Sequence, residues 1–206
     1  MERRIGILGG TFNPIHNGHI SLAQTALKEL DLDTIWFMPS GQTNLKKEMF
    51  ILPAKARSTL IELAIEKFDS FKLSTIEIER SGITYTFETL LQLEEMFPED
   101  SFFFILGADC LFSIEKWKEP TIIMDKTTLV SAVRGEDDIS SLKRQADYLR
   151  QKYNAQIHLL NFPAITVSST EIRSKIANNE SVKGLIPIEV EEYIKEHFLY
   201  KGMENA

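Results

Sequence analysis

Short, wholly apolar runs separated by helix-patterned stretches do most to narrow the folds open to this chain of 206 residues. Phe102-Phe103-Phe104-Ile105-Leu106 offers no polar position to solvent, so a strand made of it must be covered on both faces. Comparable strand-like runs lie at residues 5–8, 34–39, 71–77, 101–106, 128–133 and 156–160. Between them, apolar residues return every three or four positions. Residues 54–68 carry Leu60, Ile61, Ala64, Ile65 and Phe68, and residues 87–97 repeat the pattern through Leu90 and Leu91. Such alternation predicts an α/β fold, a parallel sheet with helices on both faces. No Pro/Ser/Gly-rich linker, internal repeat or low-complexity tract divides the chain, so residues 1–206 are expected to form one domain. Val190, Tyr193, Ile194 and Phe198 predict a closing helix over 188–199, and residues 135–141 read as a polar loop.

Charge bears on partners. Lys and Arg total 23 against 30 Asp and Glu, a formal net charge of −7. A protein that tracks a nucleic-acid backbone carries a basic excess or stripe, so a polynucleotide partner is not expected. The N-terminus enters the first apolar run at once, and no apolar stretch is long enough for a signal segment or a membrane span. One cysteine, Cys110, cannot close an internal disulfide, which suits a reducing cytoplasm, and it reads as a packing residue. The sequence leaves a homo-oligomer open.

The first strand ends in Gly9-Gly10-Thr11-Phe12-Asn13-Pro14-Ile15-His16-Asn17-Gly18-His19, and a helical pattern follows through Ile20, Ala23, Ala26, Leu27 and Leu30. Gly9 and Gly10 admit a ligand close to the backbone. A helix start presents unpaired N–H groups and partial positive charge, which attract phosphate. His16 and His19, three residues apart, can share a helix face. The segment therefore reads as a nucleotide-phosphate site with two imidazoles at it. A zinc site would need three or four protein ligands, and only Cys110, His158 and His197 remain as soft or imidazole donors. Neither G-x-x-x-x-G-K-[ST] nor G-x-G-x-x-G is present, so a Walker loop and a bound intact dinucleotide are not indicated.

Ser168-Ser169-Thr170-Glu171 fits a capping box, with Ile172 and Ile176 as its buried face. An ordinary capped helix would account for that much. Arg173 in the first turn opposes the helix dipole, however, and a triphosphate across the helix start would reverse that penalty.

The two end motifs together resemble the (H/T)-x-G-H nucleotidyltransferase superfamily. Tyr85-Thr86-Phe87, Gly107-Ala108-Asp109 and Lys116-Trp117 make the chain look like a bacterial nicotinate mononucleotide adenylyltransferase. The resemblance spans nearly the whole length. It implies a Rossmann-like nucleotidyltransferase fold, with ATP and nicotinate mononucleotide as substrates and Mg²⁺ carried by ATP rather than by protein side chains. It also implies that His16 and His19 touch phosphate oxygens, while Thr11 and the Gly10 to Phe12 backbone hold the α-phosphate, beside Gly9. Ser168, Ser169, Thr170 and Arg173 would hold the β- and γ-phosphates. Trp117 would stack on the pyridine ring, Thr86 would meet the nicotinate carboxylate, and Asp109 would lie near ribose hydroxyls.

Two departures from the family stand out. A Pro-Pro-His-Lys run is replaced by Gln42-Thr43-Asn44-Leu45-Lys46-Lys47, where Lys46 or Lys47 is expected to reach the phosphates, with Arg57 a further cation nearby. Arg-Pro-Gly is replaced by Arg134-Gly135-Glu136, with Arg134 a weaker substrate-binding candidate. Nicotinamide mononucleotide, phosphopantetheine and a non-catalytic nucleotide-binding role stay open as alternatives.

Overall fold

The computed structural model describes residues 2–42, 50–132, 139–162 and 167–201. From the N-terminus, β1 (Arg4–Gly10) leads through a turn into α1 (Asn17–Glu29), then β2 (Thr34–Pro39), α2 (Ala54–Ile65) and β3 (Phe71–Leu73). Next come α3 (Thr86–Met96), β4 (Ser101–Gly107), α4 (Ala108–Ser113), a 3-10 turn (Ile114–Lys116), α5 (Pro120–Lys126) and β5 (Thr128–Ala132). α6 (Ile139–Tyr153), β6 (Ile157–Leu160), α7 (Ser169–Ala177) and α8 (Ile188–Glu196) follow.

All strand pairs are parallel, and the sheet runs β3-β2-β1-β4-β5-β6. Side chains alternate across it, as the two-residue period of a strand requires. Ile5 and Ile7 of β1, with Phe102, Phe104 and Leu106 of β4, enter one core with Leu90 and Leu93 of α3 and Leu142, Ala146 and Leu149 of α6. Leu8, Phe103 and Ile105 enter the other, with Ile20 and Ala23 of α1, Leu60 and Ile61 of α2, and Val190 and Ile194 of α8. Helices therefore cover both faces, which explains the apolar runs. The strand order reverses its growth between β1 and β4, and in open parallel sheets ligands bind beyond the strand C-termini at such a reversal.

Three expected boundaries move. β3 stops at Leu73 instead of reaching residue 77. Its register against β2 covers only Ile35 to Phe37, and the Ser74 N–H closes the pairing on the Phe37 carbonyl at 2.9 Å. Beyond it the chain turns, with Glu79 N–H on the Thr75 carbonyl at 3.0 Å. α6 already begins at Ile139, inside the expected polar loop, because Leu142, Ala146 and Leu149 give it a buried stripe. α8 ends at Glu196, and residues 197–201 form turns that return Tyr200 to the core. No helix among the described residues is long and apolar enough to cross a membrane.

Candidate functional site

Two clefts meet at the C-terminal ends of β1 and β4. Both are lined by Gly9, Gly10, Thr11, Ile105, Leu106, Gly107 and Cys110. The first, of about 300 Å³, adds Asn13, His16, His19, Asp109, Ser169, Thr170 and Arg173. The second, of about 360 Å³, adds Ser40, Glu77, Tyr85, Thr86, Trp117 and Lys118. Cys110 is partly buried and packs against the core, as expected, and it also lines the seam of both clefts.

The turn between the clefts is held from every side. At φ 49° Phe12 takes a left-handed backbone, a conformation that costs a non-glycine residue about 1–2 kcal/mol. Burial of its ring, edge-on to His19 at 4.9 Å between centroids, offsets that cost. A Cβ at Gly9 would only reach van der Waals contact with Phe104 at 3.4 Å, and one at Gly10 would meet Phe12 at 3.3 Å. The protein's own packing does not forbid a side chain at Gly9, so the space there suits a ligand close to the backbone.

His16 is the N-cap residue of α1 and His19 lies one turn inside. Their rings stack at 3.6 Å with 26° between planes. The His16 backbone N–H donates to His19 Nδ1 at 3.2 Å. A backbone N–H can only donate, so Nδ1 is the acceptor and the proton of a neutral His19 ring sits on Nε2, as a donor.

Two buried arginines flank the turn, and their bonds differ. Arg57 spends all three nitrogens on backbone carbonyls: Leu52 at 3.1 Å, Thr11 at 2.9 Å and Ser40 at 2.8 Å. It braces the turn and lies outside both cleft linings, contrary to its expected place among cations for phosphate. Arg173 Nη1 donates to the Asn13 carbonyl at 2.9 Å, while Nη2 reaches Thr170 Oγ1 only at 3.4 Å. Its Nε is buried with no hydrogen-bond partner among the described residues. Burial lowers both guanidiniums from the ordinary arginine range, and no carboxylate among the described residues opposes that shift. An unmet cationic donor at the cleft wall is chemically matched to an anion.

Tyr200 connects the pair. Its hydroxyl donates to Asn13 Oδ1 at 2.9 Å, and Asn13 also accepts from the Leu52 N–H and donates to the Phe50 carbonyl. Burial raises the Tyr200 phenol well above its ordinary value, while Arg173 and Arg57 pull the other way.

The remaining expected residues divide by position. Ser168 caps α7, its Oγ accepting from the Glu171 N–H at 3.2 Å, and Ser169 Oγ donates to the Pro14 carbonyl at 2.8 Å, tying α7 to the turn. Thr86 opens α3, and Trp117 packs edge-on to Phe104 at 6.3 Å; both line the second cleft. Asp109 is exposed at the rim of the first, the one carboxylate among the described residues lining it. Lys46 and Arg134 lie outside the described residues. No group of three His, Cys, Asp or Glu that could hold a metal is found among the described residues.

Tyr200 and Lys118 are not predicted by the sequence, Asn13 stands in the predicted motif without an assigned role, and Arg57 enters as a brace instead of a cation for phosphate. Arg57 left a signal, standing three, four and seven residues before Leu60, Ile61 and Ala64 on the buried stripe of α2. Glu77 is the other unanticipated group. Burial raises its carboxyl, although Thr89, the Gly41 N–H, Arg80 and Thr84 favour its charge. A Cβ at Gly41 would stand 2.5 Å from the Glu77 carbonyl oxygen, so only glycine lets these segments meet.

Residues 7–175 match the cytidylyltransferase-like family. A protein of Lachnoclostridium phytofermentans named probable nicotinate-nucleotide adenylyltransferase is 39% identical over 198 residues, covering 96% of this chain and 99% of its own. One of Clostridium botulinum with the same name is 41% identical over 199 residues, covering 97% and 98%. Among solved structures, nicotinic acid mononucleotide adenylyltransferase of Plasmodium falciparum complexed with NaAD superposes with a TM-score of 0.80 at 22% identity, covering 97% of this chain and 98% of that one. At that identity the likeness speaks for the fold.

Proposed function

We propose that this chain, which belongs to the cytidylyltransferase-like family and there to the nicotinate-nucleotide adenylyltransferases, transfers the adenylyl group of ATP to nicotinate mononucleotide. The products are nicotinate adenine dinucleotide and pyrophosphate, a step of NAD biosynthesis. The observation that carries the reading is the meeting of two nucleotide-sized clefts at one glycine turn. In-line displacement needs the acceptor and the leaving group on opposite sides of the reacting phosphorus. With the α-phosphate at Gly9 to Phe12, pyrophosphate lies toward Arg173 and the acceptor toward Trp117.

An oxygen of the nicotinate mononucleotide phosphate forms a bond to the α-phosphorus as the bond to the bridging oxygen of pyrophosphate breaks. The nucleophile is already an anion, so no general base is needed. Catalysis reduces to positioning and to stabilising charge on oxygens. His19 Nε2–H donates to a phosphate oxygen, with its tautomer set by the His16 backbone. Thr11 and the Gly10 to Phe12 N–H groups receive the α-phosphate. Arg173, whose Nε lacks a protein partner among the described residues, takes the departing pyrophosphate with Ser169 and Thr170. Asp109 is the one carboxylate among the described residues lining the first cleft, so Mg²⁺, an oxygen-seeking ion, would be held there mainly by ATP oxygens and water and would neutralise phosphate charge. A single cysteine suits a reaction in the reducing cytoplasm.

The test is pyrophosphate release from Mg-ATP with nicotinate mononucleotide, nicotinamide mononucleotide or phosphopantetheine. Strong preference for the nicotinate substrate is expected. Preference for another acceptor would overturn the second-cleft assignment, and ATP binding without release would leave a binding module.

A further inference from the structure

The geometry points to Lys118 as the residue that makes this site prefer an acidic pyridine nucleotide over its amide. The inference rests on the reading that the second cleft takes the pyridine half of the acceptor. Acid and amide differ in one group, a carboxylate oxygen against an NH₂, so discrimination requires a cation or a set of fixed donors at that end of the ring.

Lys118 lines the second cleft beside Trp117 and Thr86. Its ammonium stands 4.2 Å from the centroid of the Tyr85 ring and 5.5 Å from that of Phe87, the two residues flanking Thr86. Aromatic faces attract a cation without neutralising it, so its charge remains available to a ligand. Among the described residues Lys118 has no carboxylate partner, unlike Lys126, which pairs with Glu94 at 2.9 Å.

The loop that presents Lys118 is anchored before the lysine and tightly bent after it. The Trp117 N–H bonds to the Ile114 carbonyl at 3.0 Å, and Glu119 takes a left-handed φ of 50°. One residue before the turn ends, Glu115 accepts from Lys152 at 2.8 Å, Tyr153 at 2.8 Å and Tyr148 at 3.3 Å, which fastens it to α6. Glu77, the carboxyl group lining the same cleft among the described residues, would repel an acidic ring by itself. The positive charge of Arg80 acts on Glu77, and Lys118 is the cation seated at the aromatic wall. Lys116 lines the cleft too, but among the described residues no aromatic ring holds its ammonium as Tyr85 and Phe87 hold that of Lys118.

An exposed ion pair contributes little, and one sandwiched between a ring face and a bound ligand contributes more. Lys118→Met, which keeps the apolar stem, should therefore lower the ratio of kcat/KM for nicotinate over nicotinamide mononucleotide about five- to tenfold, or about 1–1.4 kcal/mol. The loss should lie in KM for the acid. Lys118→Arg should retain the wild-type ratio, and rising salt should erode it in wild type but not in Lys118→Met. An unchanged ratio in Lys118→Met, or equal losses on both acceptors, would overturn the assignment. Wild-type protein inactive on both pyridine nucleotides would instead overturn the functional reading beneath it.

Discussion

Exchanging each buried arginine for methionine should separate bracing from chemistry. Methionine fills much of the arginine stem's volume but donates nothing. In Arg57→Met three backbone carbonyls, of Leu52, Thr11 and Ser40, lose a charged donor at 2.8 to 3.1 Å. Hydrogen bonds to a charged group contribute about 1.5–3 kcal/mol each, so the gross loss is about 4.5–9 kcal/mol. Relief from burying a cation returns several kcal/mol of that. The net loss should be about 3 kcal/mol, a fall in Tm of about 6–12 °C for a chain of this size. Arg173→Met forfeits one good bond, to the Asn13 carbonyl, and one long contact, while removing a buried Nε that has no partner among the described residues. Its stability should stay within about 1 kcal/mol of wild type.

Activity and ligand response should reverse that order. A ligand at 100 times its Kd adds about 2.7 kcal/mol of stability, so pyrophosphate should raise the Tm of wild type and not that of Arg173→Met. The assay is thermal and urea unfolding with and without pyrophosphate, beside steady-state pyrophosphate release. Equal destabilisation by the two substitutions, or an unshifted Tm in Arg57→Met, would refute the division of roles.

His19→Ala should cut kcat by about 100-fold or more with the fold intact, as for loss of a donor to developing charge; normal turnover by a folded protein would remove His19 from the mechanism. Tyr200→Phe takes one donor from Asn13 Oδ1 and should cost about 1 kcal/mol, or about 2–4 °C in Tm, with a loss in kcat/KM for ATP. A Tyr200→Phe protein identical to wild type in both would show that the C-terminal turn does not hold the phosphate turn.

What the sequence disclosed follows from how local each signal is. The strand, glycine turn and helix of residues 4–29 are contiguous, so their apolar runs and breakers suffice to place them. Arg173 and Asn13 are 160 residues apart, and their bond exists only because the sheet brings α7 back to β1. Each motif pointed to phosphate alone; their convergence on one cleft required the fold. Tyr200 carries no motif, and its role depends on turns that follow α8. The overrun of β3 has a different origin. Residues 74–77 keep a strand's alternation because Ile76 still packs against a core, though the backbone has left the sheet.

The paired histidines and Arg173 are held to act on phosphate oxygens without bonding to phosphorus. ATP made chiral at the α-phosphorus with sulfur, reacted with nicotinate mononucleotide, reports on that. Direct attack is one displacement and gives inverted configuration in the dinucleotide. Retention would mean two displacements through an adenylyl group bound to the protein, with a histidine as its carrier, and would contradict the mechanism.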